Sequence, residues 1–413
     1  MKIIKFALVV LVVLLAGCDT NDVAPTGIPP VATATGTIPS EIATPSTPAQ
    51  NTGTVSVGSE VPVTVTQGLT MTLMAGFPSG IKDLAWSPDG TLLAMSTGGI
   101  GSPTSLIPDA ENNIWVWRPD GTLAGTWFDP QGRVTRLAWS PDGMLLASGD
   151  AAGNVILFTK DGTQQETLQT EAGVVFGLDW SPDGQKLAVG SVKDTSNNTA
   201  QIWTRSGVLR KTMHTKYSGG KFYNLEWSPD GKYLAGGATD YALWDAEGNV
   251  IATTTSCPHC TPAWGMAWSP DSKFWATGDE NGYVAIYNTA GSRTSTFNTR
   301  SGANVMEWSP DGTKIVVSSE VWSPDGTQIG TLPAMGTYVG ALAWSPDGQM
   351  IAAGNGRNVV AVFTADRQQL YRFALGATAS EPPSVNRLAW SPDGKILAAG
   401  YSDRVARLWR IGR

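Results

Sequence analysis

The phrase Trp-Ser-Pro-Asp-Gly, with Leu or Met two residues before the tryptophan, returns along the whole chain and constrains its fold more than any other feature. Its tryptophans are Trp86, Trp139, Trp180, Trp227, Trp268, Trp308, Trp344 and Trp390, at successive spacings of 53, 41, 47, 41, 40, 36 and 46 residues. Only the fifth copy lacks the glycine, with Ser272 in its place. A period of about forty with strand-like patterning is the mark of a β-propeller or a similar array. Leu or Met at that distance puts two large apolar side chains on one face of a strand. Ser-Pro-Asp-Gly then turns the chain: Pro presets φ, Asp suits the second corner, and Gly takes the left-handed position. Eight residues after each tryptophan stands Ala94, Ala147, Ala188, Ala235, Ala276, Val316, Ala352 or Ala398, so the first hairpin of every repeat has one geometry.

The chain opens with Lys2 and Lys5 and an apolar run from Phe6 to Ala16. That run is too short to span a bilayer and suits a secretory signal. It ends Leu15-Ala16-Gly17-Cys18, which resembles the lipobox of bacterial lipoproteins. The resemblance implies that residues 1–18 are a signal segment, with Cys18 acylated as the first mature residue. The protein is then expected on a membrane outside the cytoplasm, on the periplasmic or cell-surface side. Residues 19–67 are rich in Thr, Pro, Ala, Ser and Gly with few charges, a composition that buries no core and reads as a solvated stalk. Its reach is on the order of 40 Å.

Residues 68–413 hold the repeats, each read as four short strands: one running into the tryptophan, a second after the turn, a β-branched and aromatic third, and a polar fourth. Leu388-Ala389-Trp390-Ser391-Pro392-Asp393-Gly394, then Ile396 to Gly400 and Ala406-Arg407-Leu408-Trp409, resemble the WD40-repeat family. They are also similar to the related repeats of TolB-type propellers. The Trp-Asp pair occurs at this position once, at Trp244-Asp245, and the Gly-His pair of the family is missing. The expected fold is all-β: an eight-bladed propeller of four-stranded antiparallel blades, with seven blades and one degenerate repeat as the alternative. Eight sets of first, second and third strands are separated by only seven fourth strands, and the chain stops after the eighth third strand. Residues 69–74 are expected to supply the missing strand and close the ring. Trp322-Ser323-Pro324-Asp325-Gly326 fits the third strand and following turn of blade six.

The Trp-Ser-Pro-Asp-Gly face is uniform and carries eight turn positions with aspartate, in a chain of net charge −7. It is expected to be acidic and to discourage nucleic acid. The opposite face varies in loop length, the usual place for binding. Four residues before the repeat tryptophans stand, in order, Lys82, Thr135, Phe176, Tyr223, Trp264, Asn304, Gly340 and Asn386. Three successive blades thus place an aromatic there, and Phe176, Tyr223 and Trp264 are candidates for a binding arc, with His214, Tyr217 and His259 in the loops above. Packing beneath their own loops is the other reading of these rings.

Cys257-Pro258-His259-Cys260 admits a local disulfide, a metal ligand or a redox couple. Redox pairs place the first cysteine at a helix N-terminus, whereas here Pro262 and a strand follow; a metal site wants a second ligand pair, and the other cysteine is Cys18. A Cys257–Cys260 disulfide is the expectation in an oxidising compartment, with the other two readings open. No hydrolase elbow, zincin pair or phosphate-binding glycine loop is present. No cofactor or metal is expected. Two classes of function remain. One is a monomeric binding or scaffold module for a protein or glycan ligand of the cell envelope. The other is an extracytoplasmic hydrolase or lyase working at the ring's centre. Inner-strand acids Asp179, Glu226 and Glu307 read as scattered, which favours binding.

Overall fold

The repeated turn is built from its own side chains. Ser87 Oγ donates to Asp89 Oδ1 (2.7 Å) and accepts from the Leu92 amide (2.9 Å), while the Ser87 carbonyl accepts from the Gly90 amide (2.8 Å). The same serine-to-aspartate bond recurs from Ser140, Ser181, Ser228, Ser269, Ser309, Ser345 and Ser391. Gly90 lies at φ +69° and Gly143 at +68°. Ser272 adopts φ 60° at the equivalent point, a conformation costing about 1–2 kcal/mol for an L-residue. Its hydroxyl accepts from the Asp230 amide of the preceding blade (2.9 Å), which offsets part of that cost.

The computed structural model describes residues 50–53, 70–75 and 77–412, apart from 78, 98–112, 130–131, 171–172, 193–197, 215–221, 223, 238–239, 256–262, 337 and 375–381. Among them are eight antiparallel sheets and no helix. Blade one runs outward as Ile81–Trp86, Leu93–Thr97, Asn113–Trp117 and Leu123–Phe128. Blades two to seven repeat this order. In blade eight Val385–Trp390, Ile396–Tyr401 and Val405–Arg410 come from the C-terminal end of the chain. Thr70–Ala75 pairs antiparallel with the last of these, Thr70 opposite Arg410 and Ala75 opposite Val405. Gln50–Gly53, inside the stretch read as stalk, pairs in turn with Thr70–Ala75 and forms the edge of the sheet. Trp322 lies in the third strand of blade six, Glu320–Trp322.

Neighbouring blades are tied by the repeat itself. Each repeat tryptophan is at most 9% exposed, burial that stabilises by on the order of 2–3 kcal/mol apiece. Six of the indoles donate to the carbonyl just before the tryptophan of the previous blade, as Trp139 Nε1 does to Ala85 O (3.2 Å) and Trp180 to Ala138 O (3.1 Å). Trp86 donates to Ala389 O (3.3 Å), so blade one is held to blade eight as any blade is to its neighbour. Ten residues after the tryptophan, Gly149, Gly278, Gly354 and Gly400 let the next inner strand approach. A Cβ on Gly400 would stand 2.5 Å from Ile81, and one on Gly354 would stand 2.4 Å from Val385.

Candidate functional site

Six inner strands break register at one place. The pairing shifts at Lys82, Thr135, Phe176, Trp264, Gly340 and Asn386, each four residues before its tryptophan. A bulge leaves one residue unpaired and re-aims it. These bulges ring the channel at the end opposite the Trp-Ser-Pro-Asp-Gly turns, on the face where the variable loops leave the blades. The position is therefore the one where a uniform scaffold presents non-uniform residues.

Around this mouth, blades eight, one and two bring cations together. Asp83 is 7% exposed. Its Oδ1 accepts from Arg387 Nε (3.0 Å) across the seam between last and first blades, and its Oδ2 accepts from the Leu137 amide (3.0 Å) of blade two. Arg136 Nε donates to Phe176 O (2.8 Å) and its Nη1 to Thr135 O (2.9 Å), with the guanidinium carbon 6.0 Å from the Phe176 ring centre. Burial, with Arg387 nearby, lowers Arg136 to about 10, so it stays charged at neutral pH. Lys82 is also lowered, by burial first and then by Arg136, Arg387 and Arg133. Among the described residues Lys82 makes no hydrogen bond or ion pair.

The residue just before the tryptophan is acidic in blades three, four and six. Burial raises Asp179 to about 7, Glu226 to about 8 and Glu307 to about 7, and Glu226 is raised further by the other two carboxylates. Asp179 Oδ2 accepts from the Trp227 amide and Glu307 Oε2 from the Trp344 amide, both at 2.8 Å. Glu226 and Glu307 share the wall of a cavity of ≈ 230 Å³ with Asn224, Asn304 and Arg387. The three acids are thus not scattered, as their positions along the chain suggested: the ring gathers them about one channel.

Of the arc expected from the sequence, Phe176 sits on a bulge, partly buried, beside Arg136. Trp264 occupies the matching bulge of blade five, and its side chain lies outside the described residues. His214 is exposed just past the strand Leu209–Met213. Tyr217, Tyr223, Cys257, His259, Cys260 and Cys18 lie outside the described residues. Sequence reasoning missed the cationic mouth and Tyr338, which is 63% exposed and lines a second loop-side cavity with Arg357 and Arg372. The turn face is less acidic than its aspartates imply. Asp89 pairs with Lys160, Asp142 with Arg205 (2.8 Å), Asp230 with Lys232 (2.9 Å), Asp271 with Lys273 (3.0 Å) and Asp393 with Lys395 (3.5 Å).

Eight four-stranded blades around a polar channel define a β-propeller. Three family profiles match parts of the chain: "Eukaryotic translation initiation factor eIF2A" over residues 77–243, "WD domain, G-beta repeat" over 248–288, and "Anaphase-promoting complex subunit 4 WD40 domain" over 342–412. No curated protein matches the sequence. Among solved structures the chain is similar to the C-terminal WD40 domain of Sif2, at 18% identity and TM-score 0.66, covering 81% of this chain and 97% of that one. It is similar also to the computationally designed Ika8 protein, at 17% identity and TM-score 0.65, covering 82% and 98%. At these identities the likeness is one of fold. WD40 propellers commonly act as protein-interaction scaffolds.

Proposed function

We propose that the chain is a non-catalytic binding module, lipid-anchored through Cys18 outside the cytoplasm, that takes a protein or glycan ligand on its loop face. The observation that carries this reading is the ring of bulges. Six blades place one inner-strand residue each out of register at the same end of the channel, and those residues differ in size, charge and aromaticity. A constant frame with a variable rim supports recognition; it offers no repeated chemistry.

Replacing Tyr223 and Trp264 with Ala tests the aromatic arc expected from the sequence. Envelope ligand captured by the full-length protein is expected to bind at least tenfold more weakly, about 1.4 kcal/mol, with the melting temperature nearly unchanged. A large drop in melting temperature with unchanged affinity per folded molecule would instead make the rings packing mass. Anchoring is tested separately. Wild-type protein is expected to take up labelled fatty acid and Cys18→Ser to take up none; a wild type that stays unlabelled ends the lipoprotein reading. The near-neutral carboxyls of Glu226 and Glu307 favour a second reading, acid–base chemistry by a hydrolase or lyase in the channel. Glu226→Gln leaving ligand binding intact while abolishing any turnover of that ligand would support it.

A further inference from the structure

The loop-side mouth of the channel carries positive charge that the fold does not use up. Lys82, Arg136 and Arg387 come from three adjacent inner strands, and Arg133 adds to the field at Lys82. The carboxylate set among them, Asp83, is already engaged by Arg387, the Leu137 amide and the Leu84 amide (3.1 Å). Arg136 spends two donors on backbone carbonyls, and Lys82 spends none among the described residues. Gathering like charges at a partly desolvated point is unfavourable. The packing does not ask for a cation at Lys82, because the same bulge position holds Thr135, Gly340 and Asn386 in other blades. The carboxyls deeper in the channel do not cancel this field at neutral pH, since burial keeps Glu226 largely protonated and Asp179 and Glu307 partly so.

The geometry points to an anion-binding subsite formed by Lys82, Arg136 and Arg387 at the loop-side mouth of the channel, which receives the Asp or Glu side chains of an acidic segment of a partner protein. This inference rests on the loop face being the binding face. Three features favour a peptide carboxylate. The cations stand on three adjacent inner strands within one another's field, whereas a nucleic acid presents a charge every ~1.7 Å along a duplex and needs an extended basic track. Arg387 also lines a cavity of ≈ 230 Å³, room for a side chain. The Phe176 ring beside Arg136 gives an apolar neighbour of the carboxylate a surface to cover.

The test uses the full-length protein and a short fluorescein-labelled peptide of Glu, Gly and Leu, followed by fluorescence anisotropy at two salt concentrations. Wild type is expected to bind the peptide, more weakly as salt rises. Lys82→Glu is expected to weaken binding by about tenfold or more while Lys82→Arg preserves it, with both variants melting as wild type does. Should Arg136→Gln or Arg387→Gln fail to fold, the Lys82 pair alone still decides. The inference is overturned if wild type does not bind the peptide, if Lys82→Glu binds equally well, or if the analogue with Gln for Glu competes equally. It is overturned in favour of phosphate recognition if only the phosphoserine analogue and inorganic phosphate compete. An envelope ligand lost on Tyr223→Ala/Trp264→Ala but indifferent to Lys82→Glu would leave the loop-face reading standing and remove this one.

Discussion

Deleting residues 70–75 is expected to leave little soluble, folded protein. This strand pairs with Val405–Arg410 along its whole length, from Thr70 opposite Arg410 to Ala75 opposite Val405. Its removal turns the third strand of blade eight into an open edge and strips the pairing on which Gln50–Gly53 also depends. Backbone ladder bonds contribute about 0.5–1.5 kcal/mol each. Met74, 1% exposed, packs in one cluster with Ile396, Ala398 and Leu408, and burying such a side chain adds about 1.5–3 kcal/mol. The combined loss, on the order of 5–10 kcal/mol, is comparable with the whole stability of an ordinary domain. The exposed edge adds an aggregation hazard that thermodynamics alone does not count. Soluble yield and thermal melting read the result. A deletion variant that melts within a few degrees of wild type would mean that the ring is closed by the seam between inner strands, through contacts such as Asn386 Nδ2 to Ile81 O (2.9 Å), and not by this strand.

The blades were legible in the sequence because one short phrase does several jobs at fixed offsets. Trp supplies the interblade indole, Ser and Asp build the turn, and Gly accepts its backbone angle. Even the second Trp-Ser-Pro-Asp-Gly of blade six, at Trp322, was separable by its distance from Trp308. The site was less legible, for two physical reasons. A bulge is a relation between two strands, and the six bulged residues share no side-chain type that would announce it. The channel's charges are an outcome of ring closure: Asp83 and Arg387 stand 304 positions apart and meet at 3.0 Å. A signal was present nonetheless. Indexing each repeat on its tryptophan puts Asp83, Arg136 and Arg387 in one column, three residues before Trp86, Trp139 and Trp390. The overstated acidity of the turn face was correctable in the same way, since Lys232, Lys273 and Lys395 each follow a turn aspartate by two residues.

Stability is expected to fall as pH rises from about 5 to about 9, and Glu226→Gln to reduce that fall. In the folded protein Asp179 and Glu307 titrate near 7 and Glu226 near 8, whereas their ordinary values are 3.8 for the aspartate and 4.5 for the glutamates. Between the two sets of values the folded state holds protons that the unfolded chain has released, so stability declines with pH in that window. The contribution is fully present below about pH 4 and is lost through pH 7–8. The turn aspartates act in the opposite sense and in another range. Hydrogen bonds and, for Asp142, Arg205 hold Asp142, Asp183, Asp311 and Asp393 below 3.8, so their support is present above that value and lost in strong acid. The two windows leave a stability maximum on the acid side of neutrality. Glu226 is the cleanest residue to change, because its carboxyl has no hydrogen-bond partner among the described residues, while Asp179 and Glu307 each accept a tryptophan amide. At pH 8 Glu226→Gln is expected to stabilise by up to about 4 kcal/mol, and at pH 5, where the folded carboxyl is neutral and only the unfolded chain's is largely ionised, by under about 1 kcal/mol. Denaturant melts of wild type and variant at both pH values measure this. Equal stabilisation at pH 5 and pH 8 would show that the gain comes from the amide's packing, and that the channel does not hold Glu226 protonated.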